Sequence, residues 1–133
     1  MIIVDTSVWI DFFNGHPTRE CDALESILGV EQVGIGDIIL IEILQGIRSD
    51  ADYRKTRIRL ASLTIFDMLG ASRAVQSANY FRMLRKKGIT IPKTADIIIA
   101  GFCIDNGFPL LYSDRDFDPF AQHFGLKSFS AAH

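Results

Sequence analysis

Four carboxylates stand in, or directly beside, the most apolar segments of the chain. Asp5 follows Ile2-Ile3-Val4, and Glu42 lies inside the run 38–44. Asp96 precedes Ile97-Ile98-Ile99, and Asp114 follows Leu110-Leu111-Tyr112-Ser113. A carboxylate taken out of water alone costs several kcal/mol or neutralises itself by taking up a proton. Any fold that buries these segments must therefore give the four acids a shared compensation.

The segments alternate in type. Residues 2–4 are a short β-branched run of the kind buried on both faces of a parallel sheet. Thr6 or Ser7 then opens a short helix carrying Val8, Trp9, Ile10, Phe12 and Phe13, closed by Asn14-Gly15. Further helices are predicted at 18–29 with Pro17 at its start, at 37–47 capped by Asp37, at 52–62, at 72–87 capped by Ser72, and at 95–106 capped by Thr94. Leu40, Ile41, Ile43 and Leu44 are expected inside. Strands are predicted at 32–35, 63–66 and 110–112, with a fifth at 126–129 after a short helix near Asp116. Strands alternating with helices imply an α/β fold around a parallel sheet of four or five strands with right-handed crossovers.

The chain has 133 residues, which suits one domain spanning 1–133. Fourteen basic residues against sixteen acidic ones leave a net charge of −2, so an overall basic field for gripping nucleic acid is absent. Cys21 and Cys103 read as reduced core thiols, too few for a disulfide framework or a zinc site. The N-terminal run has no basic flank and meets an acid at once, so a signal peptide is not expected. The longest apolar run, about eight residues, falls short of the ~18 a membrane span needs. A cytoplasmic protein is the expectation.

In an open parallel sheet, sites form beyond the carboxyl ends of the strands, where the strand order reverses. Asp5 and Asp114 sit at two such ends. Asp96 lies in a first helical turn, where the dipole favours an anion. Glu42 is mid-helix with apolar neighbours. Four oxygen donors from four segments, without His or Cys, suit Mg²⁺ or Mn²⁺ and phosphodiester chemistry. Singly, each acid also has an ordinary structural reading. Asp5 can cap a helix, Asp96 can answer the dipole, Asp114 can be a loop acid, and Glu42 can pair with Arg48.

The motifs resemble a known family. Asp5-Thr6-Ser7-Val8-Trp9-Ile10-Asp11, Glu42-Ile43-Leu44-Gln45-Gly46-Ile47, Thr94-Ala95-Asp96-Ile97-Ile98-Ile99-Ala100 and Leu110-Leu111-Tyr112-Ser113-Asp114-Arg115-Asp116-Phe117 are similar, in order and spacing, to the four motifs of PIN-domain ribonucleases. The length matches the VapC-type toxins of toxin–antitoxin pairs. The resemblance implies a three-layer α/β/α sandwich and a Mg²⁺- or Mn²⁺-dependent endoribonuclease that leaves 5′-phosphate and 3′-hydroxyl ends. It places Asp5, Glu42, Asp96 and Asp114 as the acidic quartet, Asp116 as a fifth acid, and Thr6 as a supporting hydroxyl. It also implies a homodimer and a small antitoxin partner that feeds a peptide segment into the active-site groove. Setting the five acids aside leaves eleven against fourteen bases, a shell of +3 around one anionic pocket.

Arg48 and Arg115 are candidates for contact with the RNA and equally for balancing charge. Ser113 is a candidate for contact with the RNA, for the same support of the water and metal cluster that the resemblance gives Thr6, and equally for capping its turn. The basic clusters at 54–59 and 82–87 read either as phosphate contacts or as solvated helix faces. Trp9, Phe12 and Phe13, and Tyr80, Phe81 and Met83, read as core. A receiver-like Mg²⁺-binding signalling domain would use Asp67 as phosphoacceptor, but it needs an acidic pair after the first strand, where Thr6 and Ser7 follow Asp5. A dehalogenase-like phosphatase needs an acid at position 7, which is Ser. Gly34-Ile35-Gly36 lacks the third glycine of a dinucleotide-binding turn. A catalytically silent PIN-like binding module is the remaining alternative, and the intact acids argue against it.

Overall fold

The computed structural model describes residues 1–130. Strand β1 (Ile2–Val4) is buried throughout, as a β-branched run covered on both faces should be. Helix α1 (Thr6–Phe13) follows at once and α2 (Arg19–Ile27) after a short turn. Then come β2 (Val33–Gly36), α3 (Asp37–Gln45), α4 (Asp50–Ala61), β3 (Thr64–Phe66), α5 (Ala71–Lys86), α6 (Thr94–Asn106) and β4 (Leu110–Leu111). A 3₁₀ turn (Arg115–Phe117) and α7 (Asp118–Phe124) complete the order.

The four strands are parallel in the order β3-β2-β1-β4. Ile3 pairs with Gly34 on one side and Leu110 on the other. The chain winds outward from β1 to β3, then returns to the opposite side of β1 for β4. The order therefore reverses between β1 and β4, and their carboxyl ends meet there.

Helix α6 is buried at every position from Asp96 to Cys103, so it runs through the interior rather than over it. It packs on α5, whose Arg73 and Gln76 both donate to Asp105 at 2.8 Å. Leu24, Ile39, Leu60, Met68, Leu84, Ile99, Phe117 and Phe120 complete the fully enclosed core. Cys21 and Cys103 are free and buried.

Several expected details differ. The segment 126–129 makes one parallel bridge, Leu110 to Ser128, rather than a fifth strand. β4 is only two residues long and offers no further partner. Ile41 is 57% exposed, because on a nine-residue helix Ile39 and Ile43 take the core face and Ile41 points away. Leu40 and Leu44 are half-buried, and Met83 is exposed. Thr18, not Pro17, adjoins α2, its hydroxyl accepting from Cys21 N at 3.0 Å. Ser72 and Thr94 lie inside their helices. Entry to α5 is set by Gly70, whose φ of 129° L-side chains rarely adopt. Asp37 is the first residue of α3, and its Oδ1 accepts from Ile38 N at 2.8 Å and Met68 N at 3.0 Å. That contact ties α3 to the loop after β3.

A methyl group at Gly36 would overlap Sδ of the buried Met68. Gly36→Ala is expected to lower stability by about 1–3 kcal/mol through overpacking. Urea unfolding reads this as a lower midpoint, and an unchanged midpoint would mean that Met68 repacks freely.

Candidate active site

The strand reversal brings Asp5 and Asp114 to one place. The Asp5 amide continues the β1–β4 ladder, donating to Leu111 O at 2.9 Å. Its side chain is only 4% exposed and caps α1, with Oδ2 accepting from Ser7 Oγ at 2.7 Å and from Ser7 N at 3.4 Å. The cap reading and the site reading of Asp5 are thus compatible. Burial pushes its pKa up, the Ser7 and Thr6 hydrogen bonds oppose the rise, and nearby Glu42 adds to it.

Glu42 comes from α3. It lies three residues after Ile39 and one before Ile43, on the edge of the core face. Its Oε1 accepts from Thr6 Oγ1 at 2.6 Å. Among the described residues the ion pairs are His16–Asp11 and Arg73–Asp105, so Glu42 is not paired with Arg48.

Asp96 enters from the first turn of α6 and is 5% exposed. Its Oδ2 is buried without a hydrogen-bond partner, an oddity shared among the described residues only with Trp9 Nε1. Its pKa is pushed up to about 7, first by burial, then by the charges of Asp5 and Asp114, with Lys93 opposing and Glu42 reinforcing. Desolvation outweighs the favourable helix dipole here. Asp114 caps the 3₁₀ turn, its Oδ1 accepting from Asp116 N at 2.9 Å. Carboxylate oxygens of Asp96, Asp114 and Asp116 lie within 4.8 Å of one another.

These residues fit a divalent cation. Donors are all oxygen, three carboxylates already converge, and the most buried has an oxygen with nothing to satisfy it.

The other candidates spread out. Ser113 Oγ lies 3.4 Å from Ser7 Oγ, at the rim of the acids. Arg115 is exposed in the 3₁₀ turn. Arg48 is exposed beside a groove of about 610 Å³ between α1, α3 and α4, with Phe13, Lys55 and Arg59, whose lining includes none of the four acids. Arg59 lies over Phe12 and Phe13 at 5.6 and 5.3 Å, so one member of the 54–59 cluster is committed to aromatic packing. Asp67 follows edge strand β3, two strands from β1, which separates it from the acids a receiver site would need beside it. The cap of α1 is Asp5 and not Thr6 or Ser7, because the Asp5 carboxylate accepts from the free Ser7 amide and Ser7 is itself a donor to it. A hydroxyl two positions after a strand-end Asp was the available signal for that contact.

The family model of the PIN domain matches residues 2–122. The chain belongs to the PIN domain family. A VapC ribonuclease of Mycobacterium bovis is 26% identical to this PIN domain over 132 residues, covering 98% of each chain. Ribonuclease VapC1 of Methanocaldococcus jannaschii is 27% identical over 130 residues, covering 96% of this chain and 86% of its own. Among solved structures, VapBC2 of Rickettsia felis bound to promoter DNA superposes with a TM-score of 0.73 at 23% identity, over 97% of this chain and 98% of that one. Mycobacterium tuberculosis VapC20, a toxin that cleaves the sarcin-ricin loop, gives 0.70 at 16% identity, over 98% and 100%. At these identities the structures establish the fold, a parallel sheet flanked by helices.

The raised pKa of Asp96 has a sign. Between the ordinary value of 3.8 and about 7, the folded metal-free PIN domain holds a proton that the unfolded chain has released. Its stability therefore falls as pH rises through that window, and Asp5 contributes in the same direction. Asp96→Asn is expected to flatten the fall and to stabilise the chelated protein at neutral to alkaline pH. Urea unfolding in chelator across pH tests it, and an unchanged slope would contradict the assignment.

Proposed function

We propose that this PIN domain is a divalent-metal-dependent endoribonuclease, the toxin half of a toxin–antitoxin pair, with one domain spanning 1–133. The observation that carries the reading is Asp96, a buried carboxylate with an unpartnered oxygen, converging with Asp114 and Asp116. Among the described residues no cationic side chain forms an ion pair with these acids, so a cation from outside is the compensation that fits.

Asp96, Asp114 and Asp116, whose oxygens converge, would hold the ion together with Asp5, with Glu42 completing the acidic set. Mg²⁺ and Mn²⁺ match an all-oxygen donor set better than Zn²⁺ does. When bound, such an ion supplies an activated water and offsets charge on the phosphodiester. Thr6 holds Glu42 Oε1, leaving Oε2 free to accept a proton. The buried α6 keeps Asp96 fixed and dry.

RNA as substrate rests on the ribonuclease relatives together with this site. Kinship with proteins solved as VapBC complexes supports a small antitoxin partner, and a homodimer in a cytoplasmic setting is part of the same proposal. Among the described residues no helix is long and apolar enough to cross a membrane. Ser113, Arg48 and Arg115 remain proposed contacts for the RNA.

Purified protein is expected to cut single-stranded RNA with Mn²⁺ or Mg²⁺ and to stop with a chelator. Asp5→Asn and Asp96→Asn should each lower cleavage by more than about a hundredfold, beyond what loss of an outer partner costs, while circular dichroism stays native. Cleavage that persists in Asp96→Asn would overturn the reading.

A further inference from the structure

The acids of the site share a pattern. Each of three has one carboxylate oxygen engaged by a neutral donor of the chain itself: Asp5 Oδ2 by Ser7 at 2.7 Å, Glu42 Oε1 by Thr6 at 2.6 Å, and Asp114 Oδ1 by the Asp116 amide at 2.9 Å. That leaves one oxygen on each for anything else. An ion of the Mg²⁺ class demands near-octahedral geometry and keeps several waters, so it is best served by carboxylates that each give a single oxygen. The pattern prepares such donors in advance.

We propose that Ser7 is a positioning residue that turns Asp5 into a one-oxygen donor through Oδ1, and that Ser113 acts by holding Ser7. Proton counting sets the direction. An ionised Asp5 only accepts, so the single hydroxyl proton of Ser7 is committed to Oδ2. The Ser7 oxygen is then free to accept, and the Ser113 hydroxyl, 3.4 Å away, is the donor in reach. The link runs from the loop after β4, through Ser7 on α1, to the end of β1, and so couples the two strand ends that frame the site. It gives Ser113 a task distinct from touching RNA.

The inference rests on the metal-site reading above and is tested by metal binding rather than by turnover. Mn²⁺ titrated into the purified protein by calorimetry is expected to bind about tenfold or more weakly to Ser7→Ala than to wild type, the range seen when an outer partner of a metal ligand is lost. Ser7→Thr keeps the hydroxyl and is expected to bind within about twofold of wild type on the same scale. Ser113→Ala weakens binding less, and Ser7→Ala/Ser113→Ala no more than Ser7→Ala alone, because the second residue acts through the first.

If Ser7→Ala does not fold, Ser7→Cys, a weak donor of similar size, takes its place. Wild-type affinity in the Ser7 variant overturns the inference and leaves the nuclease reading standing. Additive loss in the double variant, or a Ser113→Ala effect confined to KM for RNA, overturns the role given to Ser113. Absence of any Mn²⁺ binding by wild type overturns both the inference and the metal-site reading.

Discussion

The pairing of β1 on both of its edges is the constraint from which the rest of the architecture follows. Three residues, Ile2 to Val4, hold β2 on one side and β4 on the other. Because the strands are parallel, every connection must cross back over the sheet, which places helices between all of them. Because β4 returns beside β1, the chain's first acid and one of its last become neighbours despite a separation of 109 positions in the sequence, from Asp5 to Asp114. Loss of that one pairing would leave both side chains in place locally and no site between them.

Once assembled, the carboxylates repel. Burial and the charges of Asp5 and Asp114 together raise the pKa of Asp96, and only Lys93 opposes them. The fold tolerates this because α6 is anchored elsewhere, by eight consecutive buried residues and by the Arg73–Asp105–Gln76 contacts to α5. Stability made along the helix offsets what is lost at its first turn. Such local conflict inside an otherwise consistent structure is what a functional site costs.

Much of this was legible in the residues, and the exceptions have physical causes. Asp5 announces itself because a β-branched run stops on a charge. Asp96 does so because an acid in the first turn of a helix directly precedes the longest apolar run of the chain. Ile41 misled, since α3 is apolar nearly all round and only its short length decides which face meets the sheet. The segment after α7 has the composition of a strand but meets a two-residue partner, so one bridge is all it makes. Ser72 is a good capping residue that lost to the backbone freedom of Gly70. Ser7 reads as a cap, yet Asp5 takes that place, and the approach of Ser7 to Ser113 was not legible, because a contact across 106 positions depends on the strand order.

The depth of α6 has a consequence for motion. A segment buried on every face opens only when most of the molecule does, so its amides should exchange with solvent near the rate of global unfolding. Asp96 is carried by such a segment. Asp114 caps a three-residue 3₁₀ turn and Asp116 lies within it, with the exposed Ser113 and Arg115 on either side of Asp114. The two halves of the acid cluster thus belong to different ranks of the same stability hierarchy: one wall is set when the protein folds, and adjustment to an incoming ion or strand falls to the other.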